Sequence, residues 1–160
     1  EICSRDWSSD VCSSDLAIGL DSVFIGDSLP SQEELKVLTQ VEKNIVMIKA
    51  QLTTQNLFLQ KLLRSPFTAR LDEARDAIRA QESRLMLNDH IIEPENNKVR
   101  PYGAITLDNK EYLRYMGELQ IIQRPQPADP RVNVVGRVLS EEEFLLNYII
   151  PGRRFGFDFI

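Results

Sequence analysis

Cysteine, histidine and tryptophan are all but missing from this chain of 160 residues. Its two cysteines, Cys3 and Cys12, and its one tryptophan, Trp7, fall within the first sixteen positions, and His90 is the sole histidine. Beyond residue 16 there is no thiol, which excludes a disulfide framework, a cysteine nucleophile and cysteine-ligated zinc together. A lone histidine with only Asp89 and Glu93 nearby is not a metal-ligand set, so no metal and no cofactor are expected. His90 reads instead as a polar residue at a helix end, where the dipole favours a partly protonated ring. Long apolar runs are missing too: none approaches the ~18 residues of a membrane-spanning helix. That predicts a soluble chain, with the cytoplasm as the default location. A basic excess is also absent, since the net charge is −5, which argues against an electrostatically driven nucleic-acid binder.

The segment that holds the cysteines differs in kind from the rest. Asp6 to Leu16, DWSSDVCSSDL, resembles the translation of a common sequencing-library adapter, and residues 1–16 are therefore read as non-native and disordered. On that reading the natural start, and any domain upstream of it, is missing. Those residues carry one base and four acids, so without them the acidic excess falls from five to two.

Glycine is absent between Gly26 and Gly103, and Pro66 is the only proline between Pro30 and Pro94. With so few breakers, residues 31–93 are expected to be helical, after a lead-in over residues 17–30. Ser31-Gln32-Glu33-Glu34 has the S-x-x-E form of a capping box. From there Leu38, Ile45, Leu52 and Leu59 recur every seven residues, and Val41, Ile48, Gln55 and Leu62 repeat three positions on. These are the a and d positions of a coiled coil. A helix of about 33 residues would be about 50 Å long and would overhang a domain of this size unless its stripe is covered. Ser65-Pro66 then reads as an N-cap and first helical position, leading a second helix to about residue 88. It would form a helical hairpin with the first, or a kink in one rod.

The texture changes after Glu93. A small mixed module is expected over residues 99–160. It would hold a short strand at 103–107, a helix from Asp108 to about Ile122, a proline-rich connector at 124–130, a strand through Val132, Val134, Val135 and Val138, and a helix capped by Ser140 and Glu143 that Pro151-Gly152 stops. The final residues alternate, placing Phe155, Phe157 and Phe159 on one face beside Arg153 and Arg154. The predicted fold class is mainly α, a long heptad-bearing helix or helical hairpin followed by a small α+β module of short strands and helices.

One motif suggests catalysis. Val23-Phe24-Ile25-Gly26-Asp27-Ser28-Leu29 resembles the first block of GDSL-type serine esterases, and that resemblance implies Ser28 as a nucleophile. The family's Asp-x-x-His block has no counterpart, because His90 follows Asp89 directly, and Asn88-Asp89 lacks the glycine of the family's Gly-x-Asn-Asp block. Gly26-Asp27-Ser28 is accordingly read as a turn.

The function expected from these features is that of a non-enzymatic structural or adaptor protein. It would self-associate, as a trimer or tetramer in preference to a dimer, through Leu38, Val41, Ile45, Ile48, Leu52, Gln55, Leu59 and Leu62. It would offer Arg153, Arg154, Phe155, Phe157 and Phe159 to a protein partner, with nucleic acid disfavoured. The alternatives are a fragment of an enzyme, either a degenerate GDSL-like hydrolase or a chain that has lost an upstream catalytic domain, and a coiled-coil nucleic-acid regulator.

Overall fold

The computed structural model describes residues 31–33, 35–36, 45–72 and 74–160. Leu38, Val41, the Gly26-Asp27-Ser28 turn and residues 1–16 lie outside the described residues. The chain divides into a unit Glu1–Val46 and a unit Met47–Ile160. In the first, the described residues before Ile45 form a helical turn in which the Leu35 N–H donates to the Ser31 carbonyl at 3.1 Å, and Ile45 and Val46 begin a strand, Ile45–Leu52.

The second unit overturns the expectation of a mainly helical coiled coil. Its body is a curled, mixed seven-stranded sheet. The strands are β1 (Ile45–Leu52), β2 (Phe67–Thr68), β3 (Ala77–Arg79), β4 (Ala104–Asp108), β5 (Leu119–Ile122), β6 (Val132–Val138) and β7 (Arg154–Phe159). They lie in the order β2-β7-β1-β6-β4-β5-β3. The two edge strands meet: Ala69 bridges Ala80, and the Gln81 N–H donates to the Thr68 carbonyl at 2.8 Å. The edges that a flat sheet would leave unpaired are thereby satisfied by each other.

The heptad register fails because β1 has period two. Val46, Ile48 and Ala50 are buried while Met47, Lys49 and Gln51 are exposed, the alternation of a strand with one face on a core. One true α-helix follows, α1 (Leu57–Leu63). The Asn56 side chain caps it by accepting from the Phe58 and Leu59 N–H groups at 2.9 and 3.3 Å. Ser65 and Pro66 end this helix instead of starting another, with the Ser65 N–H on the Leu62 carbonyl at 3.0 Å. The expected second helix is replaced by β2, a loop, β3 and a 3-10 turn at Leu85–Leu87.

Two more helices are corrected. The one expected from Asp108 to Ile122 is a 3-10 segment, Lys110–Tyr115, capped by Asn109, and then β5. Gly117, at φ +87°, separates them. The segment Ser140–Tyr148 is also 3-10 in form, with Leu139 at its N-cap and no side-chain cap bond. Residues 124–130 contain no strand, although Gln126 bridges Arg100.

The core gathers around the aromatic residues of β2 and β7. Phe67 pairs with Phe155 across the two strands, their rings 5.8 Å apart, and Phe157 packs edge-on to Phe155 at 5.9 Å. Burying side chains of this size contributes about 1.5–3 kcal/mol each. β6 passes so close to β1 that a Cβ on Gly136 would lie 2.9 Å from the Gln51 carbonyl oxygen, so only glycine fits there.

A buried hub ties the long loop before β4 to the sheet. The Asn133 Oδ1 accepts from the Glu95 N–H at 3.0 Å, the Asn97 Nδ2 at 3.2 Å and the Asn109 Nδ2 at 2.8 Å. Its own Nδ2 donates to the Glu93 carbonyl at 2.8 Å. Both Asn133 and Asn109 are fully buried, and a saturated network of this kind fixes one arrangement of the loop.

Candidate functional site

Two loops approach each other at the β3 and β5 end of the sheet. One runs through the 3-10 turn Leu85–Leu87 and reverses at Asn88 and Asp89, which take φ of 45° and 66°. The other is the 3-10 segment Lys110–Tyr115, whose Leu113 is held at φ 52° and ψ −117°. They lock together at Gly117, where a Cβ would lie 2.4 Å from Leu87 Cδ1. Between them runs a groove of about 800 Å³, with Arg84, Asn88, His90, Arg114 and Met116 among its walls. Leu85 and Leu113 also line it and are 82% and 80% exposed. These two leucines give the groove an apolar rim. A leucine outside the ordinary backbone basins is the kind of strain that collects at functional sites.

The walls of the groove carry Arg84 and Arg114 against the single carboxylate of Asp89, a net positive charge of one. The Arg84 guanidinium donates to the Arg114 carbonyl and lies 5.7 Å from the centre of the Tyr115 ring. The Arg114 guanidinium lies 4.9 Å from the same ring and donates to the Tyr115 hydroxyl at 2.9 Å. Among the described residues neither forms an ion pair, whereas Arg70, Arg79 and Arg131 all do. Ring and carbonyl contacts orient a guanidinium without neutralising it, which leaves its remaining N–H groups for an anion. Nearby, Arg131 stacks at 4.4 Å on Tyr112 and holds the Asp129 carboxylate at 2.7 Å. That hydrogen bond draws Asp129 down to about 2 and raises the arginine.

A second polar set lies beneath the surface. Register places Arg79, Gln120 and Thr106 side by side across β3, β5 and β4, and beyond that row Asp108 stands opposite Glu118. Glu118 has Arg70 at 3.5 Å and Arg79 at 3.8 Å. Asp108 Oδ1 and Thr106 Oγ1 have no hydrogen-bond partner. Burial, with the Glu118 charge second, pushes Asp108 up to about 7. Asp108 and Glu118 are only 2% and 5% exposed, so they are walled off from any ligand in the groove. Among the described residues no cluster of three metal-ligating side chains occurs, and no helix is long and apolar enough to cross a membrane.

The residues singled out from the sequence are scattered over this framework. Ile45 and Leu52 are half-buried and Ile48 is buried on β1, Gln55 is exposed in the following loop, and Leu59 and Leu62 are buried on α1. Phe155 and Phe157 are buried, Arg153 and Phe159 are half-buried, and Arg154 is exposed. His90 lines the groove, its ring stacked at 3.9 Å on Phe58. Arg84, Leu85, Leu113 and Arg114 were not among the residues singled out. Their one sequence signal is an Arg-Leu and a Leu-Arg pair, which are too ordinary to stand out.

Curled sheet and cationic groove together define a β-sheet domain with a groove built from its loops. Residues 35–158 match the model of the 6-phospho-N-acetylmuramidase C-terminal family, and the chain belongs to that family. Its relation to a glycosidase family overturns the expectation of a non-enzymatic coiled-coil adaptor. Two solved structures are similar over 94% of the chain. One is a conserved Enterococcus faecalis protein of unknown function, at 28% identity and a TM-score of 0.70. The other is an uncharacterised B. cereus protein, at 27% identity and a TM-score of 0.69. The chain spans 41% and 44% of their respective lengths. No curated protein sequence matches it.

Proposed function

We propose that this chain supplies substrate recognition to a glycosidase acting on 6-phosphorylated N-acetylmuramic acid, and that the groove between Leu85 and Leu113 receives the sugar. The observation that carries this reading is the family match over residues 35–158. The groove gives it a chemical form. A 6-phospho-N-acetylmuramic acid unit bears a phosphate monoester and a lactyl carboxylate, two anions on one ring, and the groove offers two guanidiniums that lack a carboxylate partner. Charge-assisted hydrogen bonds of this type contribute about 1.5–3 kcal/mol each. Leu85, Leu113 and Met116 provide apolar contact for the acetyl methyl and the C–H faces of the ring.

Titration of the chain with N-acetylmuramic acid 6-phosphate, followed by backbone amide NMR, tests the proposal. Shifts confined to residues 81–90 and 113–116 are expected, stronger than with unphosphorylated N-acetylmuramic acid and lost in an Arg84→Ala, Arg114→Ala double variant. Shifts elsewhere, or shifts indifferent to the phosphate, would overturn it.

A further inference from the structure

A separate cavity of about 240 Å³ opens between the β2–β3 loop and the segment that follows β6. Arg70, Asp72 and Arg79 line one side of it, and Gln123 and Asn147 contribute amides. The Asp72 carboxylate bridges both guanidiniums, accepting from Arg70 at 2.8 and 2.7 Å and from Arg79 at 2.8 Å. From below, the buried Glu118 carboxylate steadies the same two cations at 3.5 and 3.8 Å. The Arg79 Nε is buried with no partner.

The two carboxylates differ in how firmly they are placed. The Glu118 side chain is 6% exposed and belongs to the sheet, whereas the Asp72 side chain is 59% exposed and stands on a loop. Solvent offsets much of such a pair, so a dianion can compete for the fork even though Asp72 meets Arg70 two-pronged and its carbonyl also accepts from Arg79 at 2.8 Å. We propose that this cavity is a binding site for a small oxyanion of the phosphate class, and that Asp72 is its built-in competitor, occupying the double guanidinium fork until a ligand displaces it. With Asp72 in place the two arginines and two carboxylates balance. With Asp72 swung out, Arg70, Arg79 and Glu118 together carry one net positive charge, and a tetrahedral dianion can accept from both forks at once. Competition by an internal carboxylate lowers the apparent affinity by the fraction of time the fork is free. The site does not depend on the groove.

Inorganic phosphate is the probe, with the Nε–H resonances of Arg70 and Arg79 followed by NMR in the whole chain. Saturable shifts of both are expected in the wild-type protein and in the Arg84→Ala, Arg114→Ala variant. Asp72→Asn should tighten phosphate binding by at least about tenfold, and Arg70→Ala added to Asp72→Asn should abolish it. Absence of a saturable shift in the wild type overturns the proposal even if Asp72→Asn does not fold. Where that variant folds, an affinity equal to the wild type's overturns the competitor role of Asp72.

Discussion

Asp108, the last residue of β4, and Glu118, just before β5, stand opposite each other, joined by the Asp108 N–H on the Glu118 carbonyl at 3.1 Å, and of the two only Glu118 is ion-paired, Arg100 and Arg131 acting on Asp108 without a salt bridge. The unequal partnering makes Asp108 the titrating member. Its carboxyl is raised by burial, and then by Glu118, to about 7 from an ordinary value of 3.8. The native state therefore binds the proton more tightly than the unfolded chain does. The stability this provides is complete below 3.8, is lost as pH rises toward 7, and stays lost above it. A displacement of this size corresponds to at most about 4 kcal/mol. Asp108→Asn should remove the dependence and be more stable than the wild type at pH 8, with little difference at pH 4. Urea denaturation at the two values checks this, and a parallel pH dependence in both proteins would refute it.

The reason the sheet was hidden lies in particular residues. In Ile45-Val46-Met47-Ile48 an apolar run fits the heptad through Ile45 and Ile48 as well as it fits alternation through Val46 and Ile48, and eight residues are too few to separate the two periods. Scarcity of glycine was the second false lead. Turns in that stretch are made by Asn88, Asp89 and Asn96 at positive φ, a conformation asparagine and aspartate tolerate better than other side chains. Strand signals survived where β-branched residues cluster, at Val132–Val138, and where the aromatic residues of β7 alternate. The candidate site could not be read at all. Arg84 and Arg114 lie thirty positions apart and meet where Gly117 seats on Leu87.

Asn133 is the position where one polar substitution should cost most. Its amide satisfies three donors and one acceptor from the loop before β4 and from Asn109. Asn133→Ala would leave several buried groups without partners and should destabilise the chain by about 2–4 kcal/mol. Faster hydrogen exchange at the Glu95 amide is the local signature. A variant as stable as the wild type would show that solvent replaces the hub.

Leu113 gives the opposite expectation. Its side chain is 80% exposed and its backbone sits at φ 52° and ψ −117°, so little packing is lost on truncation while strain of about 1–3 kcal/mol is relieved. Glycine costs about 1 kcal/mol in unfolded-state entropy, less than the upper part of that range. Leu113→Gly should therefore raise the melting temperature by a few degrees and, if the groove binds sugar as proposed, weaken that binding. Thermal unfolding and the NMR titration read the two effects separately.

Gly117 combines two constraints that a pair of variants can separate. At φ +87° any side chain is strained, and a Cβ would come within 2.4 Å of Leu87 Cδ1 and 2.9 Å of its Cγ. Rotating the leucine about its Cβ–Cγ bond moves Cδ1 but leaves Cγ in place, and the larger rotation that would move Cγ is hindered because Leu87 is itself buried. Gly117→Ala should cost about 1–2 kcal/mol for the backbone and about 1–3 kcal/mol for the overlap. Adding Leu87→Ala makes room for the new methyl, so the overlap should vanish while the backbone strain remains. A double variant less destabilised than the sum of the two single variants, by roughly the overlap energy, is the expected result of a denaturation cycle. Strict additivity would mean that the two loops are held together by contacts other than this one.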